Sequence, residues 1–436
     1  MAQVGGVWMD VDRRYFNDNS QGGPTYPTID LQPGYQKLSG QGALDYARYR
    51  HFDNDFFRNA RQQRFVEAFR EAVTAGFSPT RVPAIVDTIT DNVEVAAPGG
   101  VLSRKKVLSY ALFAYELRNG HTQQSRIALE CYGPDDVAAL TVSQECIDRP
   151  VREFANPDVE APQKATHVAL GRKPPPSKAP PPRETTVVVL NGNGIAGAAA
   201  NGSYLLGRLG YATLAPQNGA AANAPTSDYA TTMVYWRAAP RARQAAEKLA
   251  TLFPDARVQP LPPELEALAG EAMTVVVLGV TFETELVEEP VDQTPKRQPA
   301  QVCQTTVAAD AARALRGQVR LRLLAPRRLA NGYVVSRDSP ARAYRIAGRQ
   351  AARLTFTNGV DYFGVQMLRW NEAPALEGPD DTVKLDGRTF ELHYTGAKLR
   401  MVVLREGGTS YWVVNTLLNN LSNETMLSIA RSLRPV

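Results

Sequence analysis

Six prolines fall within nine residues, Pro174-Pro175-Pro176-Ser177-Lys178-Ala179-Pro180-Pro181-Pro182. Each proline fixes φ and removes a backbone donor, so the run fits neither a helix interior nor a central strand. It is expected as extended polyproline, a semi-rigid spacer that forces the chain to fold in pieces on either side. A second linker, containing Glu, Pro and Gln, is expected over residues 284–300. The 436 residues suit about three domains. The reading is a first unit over 1–160, a linker over 161–184, a second unit over 185–283, the 284–300 linker, and a third unit over 301–436.

The hydrophobic and charged fractions, 44% and 21%, are those of a globular protein, and the net charge is only +5. The positive excess is uneven. Residues 301–370 hold twelve Arg against three acids, Asp310, Asp338 and Asp361. Such a face suits an acidic polymer, a lipid surface or nucleic acid. No recognition helix or stacking motif supports the nucleic-acid option. Three cysteines, Cys131, Cys146 and Cys303, are too few for a disulfide scaffold. Cys131 and Cys146 can pair if the protein is exported, which leaves Cys303 free. The four histidines (51, 121, 167, 393) are scattered and lack zinc spacing. No apolar stretch reaches the ~18–20 residues that span a bilayer, and the amino terminus lacks a signal-peptide pattern. Taken alone, that describes a cytosolic protein.

In the first unit, Gly5-Gly6-Val7-Trp8-Met9-Asp10-Val11 alternates like a strand. Pro27 to Gly34 reads as strand then turn, and Ser39 to Ala47 as a short helix. A long helix is expected from Asp55 to about Ala75, with Asp55 as its cap and Phe57, Phe65, Val66, Phe69 and Val73 at helical spacing. Residues 80–90 and 103–118 also read as helices. The second unit reads strand (186–190), helix (196–209), strands (211–215, 231–236), helix (239–252) and strand (274–280), an α/β layer fold. The third reads as α+β: an opening helix, strands at 318–324, 343–347, 362–369, 388–394, 399–405 and 410–415 in a curved antiparallel sheet, and a closing helix over 423–433. Trp370 and Trp412 are expected in the core rather than as sugar platforms. The alternation of Tyr411-Trp412-Val413-Val414 should turn one of its two aromatics outward.

Five arginines, Arg48, Arg50, Arg58, Arg61 and Arg64, lie within 17 residues. Most charge runs are solvated faces. Here Arg48 and Arg50 share a side if their segment is extended. Arg58, Arg61 and Gln62 share a helix face by the i, i+3, i+4 rule. Planar forks at the start of a helix, where orphan N–H groups add to the field, form an anion site suited to pyrophosphate. Asp55 is expected to cap the helix and orient the arginines rather than act as a base.

Gly192-Asn193-Gly194-Ile195-Ala196-Gly197 fits G-x-G-x-x-G between a strand and a helix. The next strand ends Thr213-Leu214-Ala215-Pro216-Gln217, with no acid for a ribose, and the unit is short for a doubly wound sheet. The glycines are therefore read as serving a tight turn.

Tyr46-Ala47-Arg48-Tyr49-Arg50 followed by Asp55-Phe56-Phe57-Arg58-Asn59-Ala60-Arg61-Gln62-Gln63 resembles the signature of LytR-CpsA-Psr proteins. Val4-Gly5-Gly6-Val7, Ile29-Asp30-Leu31 with Pro33-Gly34, and Leu38-Ser39-Gly40 with Ala43-Leu44 also look like that family, in the same order. The unit opening at Asn191-Gly192 resembles the LytR C-terminal domain. The third unit resembles small lipoprotein-like sheet domains only loosely.

The resemblance implies a partial three-layer α/β/α catalytic core. The implied activity is transfer of an anionic glycopolymer from a polyprenyl-pyrophosphate carrier to peptidoglycan, forming a phosphodiester with magnesium. It also implies a location on the outer face of the bacterial membrane, against the membrane surface, with no nucleic-acid partner. Arg48, Arg50 and Arg58 match the family's functional arginines. Gln62, Arg61 and Asp55 match motif positions expected to touch substrate. The first half of the family core, with its membrane helix and magnesium-binding acids, has no counterpart here. The chain is therefore expected to be amino-truncated and to hold half of an active site, and its first unit to depend on a partner for folding. The alternative is a non-catalytic protein that binds wall polymer or lipid through residues 185–436.

Overall fold

Val7-Trp8-Met9-Asp10-Val11 must present two different faces, because successive strand side chains alternate. In the computed structural model these residues form strand β1 (Val7–Val11), paired antiparallel with β4 (Gly34–Leu38). The structure describes residues 5–20, 28–50, 54–75, 82–92, 96–97, 100–109, 125–128, 131–133, 141–174, 179–219, 221–287 and 291–436. Between the two strands, β2 (Tyr15–Asn17) pairs with β3 (Ile29–Leu31). Helix α1 (Gly40–Arg48) follows, capped by Ser39, and then α2 (Asp55–Ala75) and α3 (Val82–Asn92). Of the helix expected over 103–118, residues 104–109 are helical and the remainder lies outside the described residues.

The chain divides into two units. One comprises Met1–Gln123, Ala161–Pro174 and Thr294–Val436, and the other Gln124–Glu160 and Pro175–Gln293. Both mix helices with sheets.

The inner face of β1 packs Val7, Met9 and Val11 with Leu38, Ala43, Tyr46, Tyr49 and Ala68 beneath α1 and α2. Its other face carries Trp8 and Asp10, which meet the carboxy-terminal sheet of the same unit. Tyr35 of β4 lies in one core with Ile346, Leu368, Leu376, Met401 and Trp412, and Trp8 packs against it. The hairpin is thus covered on both sides.

Helix α4 (Gln144–Ala155) belongs to the other unit, where Cys131 and Cys146 form a disulfide with a Cα–Cα distance of 6.0 Å. Helix α5 (Ala161–Ala169), read from sequence as linker, is part of the first unit, and its Thr166 hydroxyl lies 2.9 Å from that of Tyr394. The second unit continues with β5 (Thr186–Asn191), α6 (Ala198–Arg208), β6 (Ala212–Leu214), β7 (Met233–Trp236), α7 (Ala242–Ala250), β8 (Arg257–Pro260), α8 (Pro263–Ala269) and β9 (Thr274–Leu278). These strands form one sheet in the order β6-β5-β9-β7-β8. All neighbours are parallel except β9 and β7. Every residue of β9 is buried, because α6 and α7 cover one face and α8 the other. Strand β8 and helix α8 did not stand out in the sequence.

The Gly192–Gly197 segment is the turn between β5 and α6. Asn191 Oδ1 accepts from Gly194 N at 3.0 Å, and Gly194 and Gly197 take φ of +73° and +80°. A Cβ on Gly192 would lie 2.9 Å from the Leu278 carbonyl oxygen, so the backbone approach there requires glycine.

In the carboxy-terminal part of the first unit, α9 (Val307–Arg313) precedes eight antiparallel strands: β10 (Val334–Val335), β11 (Ala341–Ile346), β12 (Arg349–Thr357), β13 (Tyr362–Leu368), β14 (Asp381–Leu385), β15 (Arg388–Thr395), β16 (Lys398–Glu406) and β17 (Thr409–Val414). The order is β10-β12-β13-β17-β16-β15-β14, with β11 also on β12. Helix α10 (Asn423–Arg431) closes the unit. Of the expected 318–324 strand, only its last residue lies in a strand, Leu324–Pro326. Neither Tyr411 nor Trp412 faces solvent, against the expectation from alternation. Tyr411 faces the core beneath α9 and α10, and Trp412 faces the β1–β4 hairpin.

The hairpin is held by a buried ion pair. Arg353, 1% exposed, donates from Nη1 to Asp10 Oδ2 at 2.8 Å, and Trp412 Nε1 approaches the same oxygen at 3.4 Å. Gly364 leaves the space the guanidinium occupies, since a Cβ there would collide with it. Gln366, opposite Arg353 in the sheet, accepts from Tyr35 N at 3.2 Å and donates to Ala352 O at 3.0 Å. The Tyr344 hydroxyl lies 2.9 Å from Tyr35 O and 3.0 Å from Gln366 Oε1. Removing one partner strands the other charge in the interior, so Asp10→Ala is expected to cost about 3–5 kcal/mol. Urea unfolding followed by tryptophan fluorescence checks this, and wild-type stability in Asp10→Ala would remove the pair from its role.

His393, buried in β15, sets an acid limit on the same unit. Burial, with Arg400 and Arg405 adding repulsion, pushes its imidazole down to about 3. Among the described residues its Nε2 has no hydrogen-bond partner. The unfolded chain takes up this proton below the ordinary value of about 6.5, while the folded chain resists it. Its contribution to stability is therefore full above about pH 6.5 and declines as pH falls toward 3, by up to about 1.4 kcal/mol per unit. His393→Gln is expected to flatten the fall in stability between about pH 6 and pH 4, measured by urea unfolding across that range.

Candidate functional site

The arginine run sits where α1 ends and α2 begins. Arg48 is the last residue of α1, and Tyr49 leaves the helix with φ −53° and ψ 133°. The Tyr49 ring is buried while Arg48 and Arg50 on either side are exposed. The alternation expected of an extended segment thus operates through one buried residue. His51, Phe52 and Asp53 lie outside the described residues.

Helix α2 begins at Asp55, but its cap is Asn54 rather than Asp55 as the sequence suggested. Asn54 Oδ1 accepts from Phe56 N at 3.1 Å and Phe57 N at 3.4 Å. Asn is as good a cap as Asp, and its use leaves the Asp55 carboxylate outside the helix end. That carboxylate bridges two arginines, with Arg50 Nε at 3.2 Å and Arg58 Nη2 at 3.0 Å. Arg48 has no carboxylate partner among the described residues. Gln62 is exposed one turn beyond Arg58. The structure therefore brings Arg48, Arg50, Asp55, Arg58 and Gln62 to one junction, beside the positive end of α2.

Arg61 takes a different place. It is fully buried, and its guanidinium donates to the carbonyls of Tyr46, at 2.9 Å, and Tyr49. It also stacks over the Tyr15 ring at 5.1 Å. A group without exposed surface cannot reach a bound polymer, so Arg61 positions the end of α1 in place of the substrate contact expected from the motif. The helix-face rule failed because the i, i+3 pair Arg58 and Arg61 straddles the boundary between exposed and buried faces.

Arg13 was not singled out in the sequence. Its guanidinium stands 5.0 Å from the Tyr15 ring centroid and 5.8 Å from that of Tyr49, which places another cation beside the junction. The adjacent Arg13-Arg14 before a strand was the available signal. Arg14 itself is held by Asp30, with Nε at 2.7 Å and Nη2 at 2.9 Å. Burial, then the Asp12 carboxylate, pushes the Tyr15 hydroxyl well above its ordinary pKa. Tyr15 therefore stays neutral between its two stacked cations.

Among the described residues no group of three or more His, Cys, Asp or Glu side chains is placed to hold a metal ion. The magnesium implied by the resemblance finds no fitting ligand set there, and no chemistry is derived through it. Among the described residues no helix is long and apolar enough to cross a membrane.

Residues 1–116 match the family model described as the LytR_cpsA_psr family. Residues 184–282 match the model described as LytR cell envelope-related transcriptional attenuator. The chain is similar to the crystal structure of B. subtilis TagV at 17% identity and a TM-score of 0.25, over 35% of this chain. It spans 56% of that chain's length. No curated protein matches.

Replacing Arg61 by Ala leaves two carbonyls unsatisfied and a void, with an expected cost of about 2–4 kcal/mol. Gln62→Ala, on the exposed side of the same turn, is expected to stay within about 0.5 kcal/mol of wild type. Thermal unfolding of the two variants side by side checks the assignment, and equal melting temperatures would refute it.

Proposed function

We propose that this chain, which carries a LytR-CpsA-Psr segment followed by a LytR C-terminal segment, takes part in transferring an anionic glycopolymer from a polyprenyl-pyrophosphate carrier to peptidoglycan in the bacterial envelope. The observation that carries the reading is the pairing of exposed Arg50 and half-buried Arg58 on Asp55 at the start of α2, with exposed Arg48 at the adjoining end of α1. In the reaction, an acceptor hydroxyl oxygen bonds to the phosphorus attached to the glycan. The bond from that phosphorus to the bridging oxygen breaks, the lipid leaves as its monophosphate, and the hydroxyl proton passes to the leaving phosphate or to water. Negative charge grows on the bridging oxygen, and converging guanidinium forks stabilise it. Gln62 offers a neutral donor beside them. The amino-terminal part of the first unit, within 1–123, is read as belonging to the second half of a three-layer α/β/α catalytic domain, with the 301–436 α+β sheet packed against it in the same unit rather than standing apart, and 185–283 as the LytR C-terminal-like domain.

The Cys131–Cys146 disulfide supports a site in an oxidising compartment, at the outer face of the membrane. The twelve arginines against three acids in residues 301–370 favour a second reading, in which the chain binds wall polymer without transferring it.

Full-length protein incubated with labelled polyprenyl-pyrophosphate-linked oligosaccharide and peptidoglycan distinguishes the two. Transfer is expected, and Arg48→Ala and Arg50→Ala are each expected to lower it about 100-fold or more. Transfer that survives both changes would remove these residues from the mechanism, and retention of label without transfer would favour the binding reading.

A further inference from the structure

Helix α5 ends in a left-handed reversal. Gly171 takes φ +70°, its N–H donates to Val168 O at 2.9 Å, and Arg172 N donates to His167 O at 2.8 Å. This paired bonding is the glycine-ended helix stop. It also makes room: a Cβ on Gly171 would lie 2.8 Å from Arg297 Cζ, so the Arg297 guanidinium rests against bare backbone. The reversal borders a cleft of about 640 Å³ in the first unit, a volume typical of small-molecule sites.

Four arginines line this cleft, Arg172, Arg297, Arg328 and Arg431, against one acid, Glu424. The Glu424 carboxylate is engaged by Gln298 N at 3.0 Å. Arg431 is held by Asp386 through two bonds of 2.9 Å. Arg328 donates to Ser428 Oγ at 3.3 Å. None of Arg172, Arg297 and Arg328 forms an ion pair with a carboxylate among the described residues. Like charges gathered at one concavity repel one another, and an anion relieves that repulsion. A carboxylate has two oxygens and is satisfied by a single fork. A phosphoryl group presents three terminal oxygens and accepts from several forks at once. Leu170, Leu385 and Leu427 add apolar wall on which the C–H face of a sugar ring can rest.

We propose that this cleft binds a phosphoryl group carried on a saccharide, at a second anion site of the first unit, apart from the α1–α2 junction. The argument rests on the cleft alone and holds whether or not the chain catalyses transfer.

Isothermal titration of full-length protein with glucose 1-phosphate, inorganic phosphate and glucose tests it. Glucose 1-phosphate is expected to bind more tightly than inorganic phosphate, and glucose not at all. The R172A/R297A double variant is expected to lose this binding event or weaken it at least tenfold. Both side chains are exposed, and circular dichroism confirms that the fold is retained. The R48A/R50A double variant is expected to keep the event. Unchanged binding in R172A/R297A, or no binding to wild type, would overturn the proposal. Loss confined to R48A/R50A would also overturn it, by assigning the sugar phosphate to the α1–α2 junction while leaving the transfer reading standing.

Discussion

The first unit depends on one charge pair, Asp10 with Arg353, 343 residues apart. Arg353 projects from a buried stretch of β12 between Ala352 and Leu354, and it has almost no access to water. Such a cation in a protein interior is tolerated only when an acid meets it with good geometry. The acid comes from β1, so the carboxy-terminal sheet is complete only once the amino-terminal hairpin has docked. The dependence is mutual. The outer face of the hairpin, with Trp8, Asp10 and Tyr35, would be exposed without the sheet. Contacts this distant in sequence impose a large loop-closure cost and make for slow folding.

Around the pair, polar groups settle the register of docking. Gln366, Tyr344 and the Tyr35 backbone bond to one another in a region otherwise filled by aromatic and aliphatic side chains. Burial of Trp8 and Tyr35 against Trp370 and Trp412 supplies the attraction, at roughly 1.5–3 kcal/mol for each large apolar side chain. Apolar surfaces slide, however, and a slip by one residue would invert the two faces of β1. The hydrogen bonds penalise that slip because each misplaced donor would be left without a partner.

Local pattern carried much of this into the sequence. The alternation of Val7 to Val11, the helix over 55–75 and the strand-helix order of residues 186–278 all follow from periodicity, and the structure contains them. What periodicity cannot express is which surface a strand faces. Tyr411 and Trp412 are both buried because helices cover one side of β17 and the hairpin covers the other. The arginine cluster was legible as a cluster, yet the depth of each member was not. Arg58 and Arg61 differ by three residues, yet Arg58 keeps about a third of its side-chain surface and Arg61 none, because the end of α1 and the Tyr15 ring cover the Arg61 side of α2. The exchange of Asp55 for Asn54 as cap was invisible for a similar reason, since both residues suit the position.

That exchange has a consequence for ligand choice. With Asn54 satisfying the helix end, Asp55 sits among Arg50 and Arg58 as a built-in competitor, a tethered anion at high effective concentration. A free monoanion offers the arginines little that Asp55 does not already supply. A group bearing several charges can outbid it, or bind alongside it through Arg48. Under the proposed transfer reading, such a junction would screen its visitors by valence before it recognised any feature of their carbon skeleton.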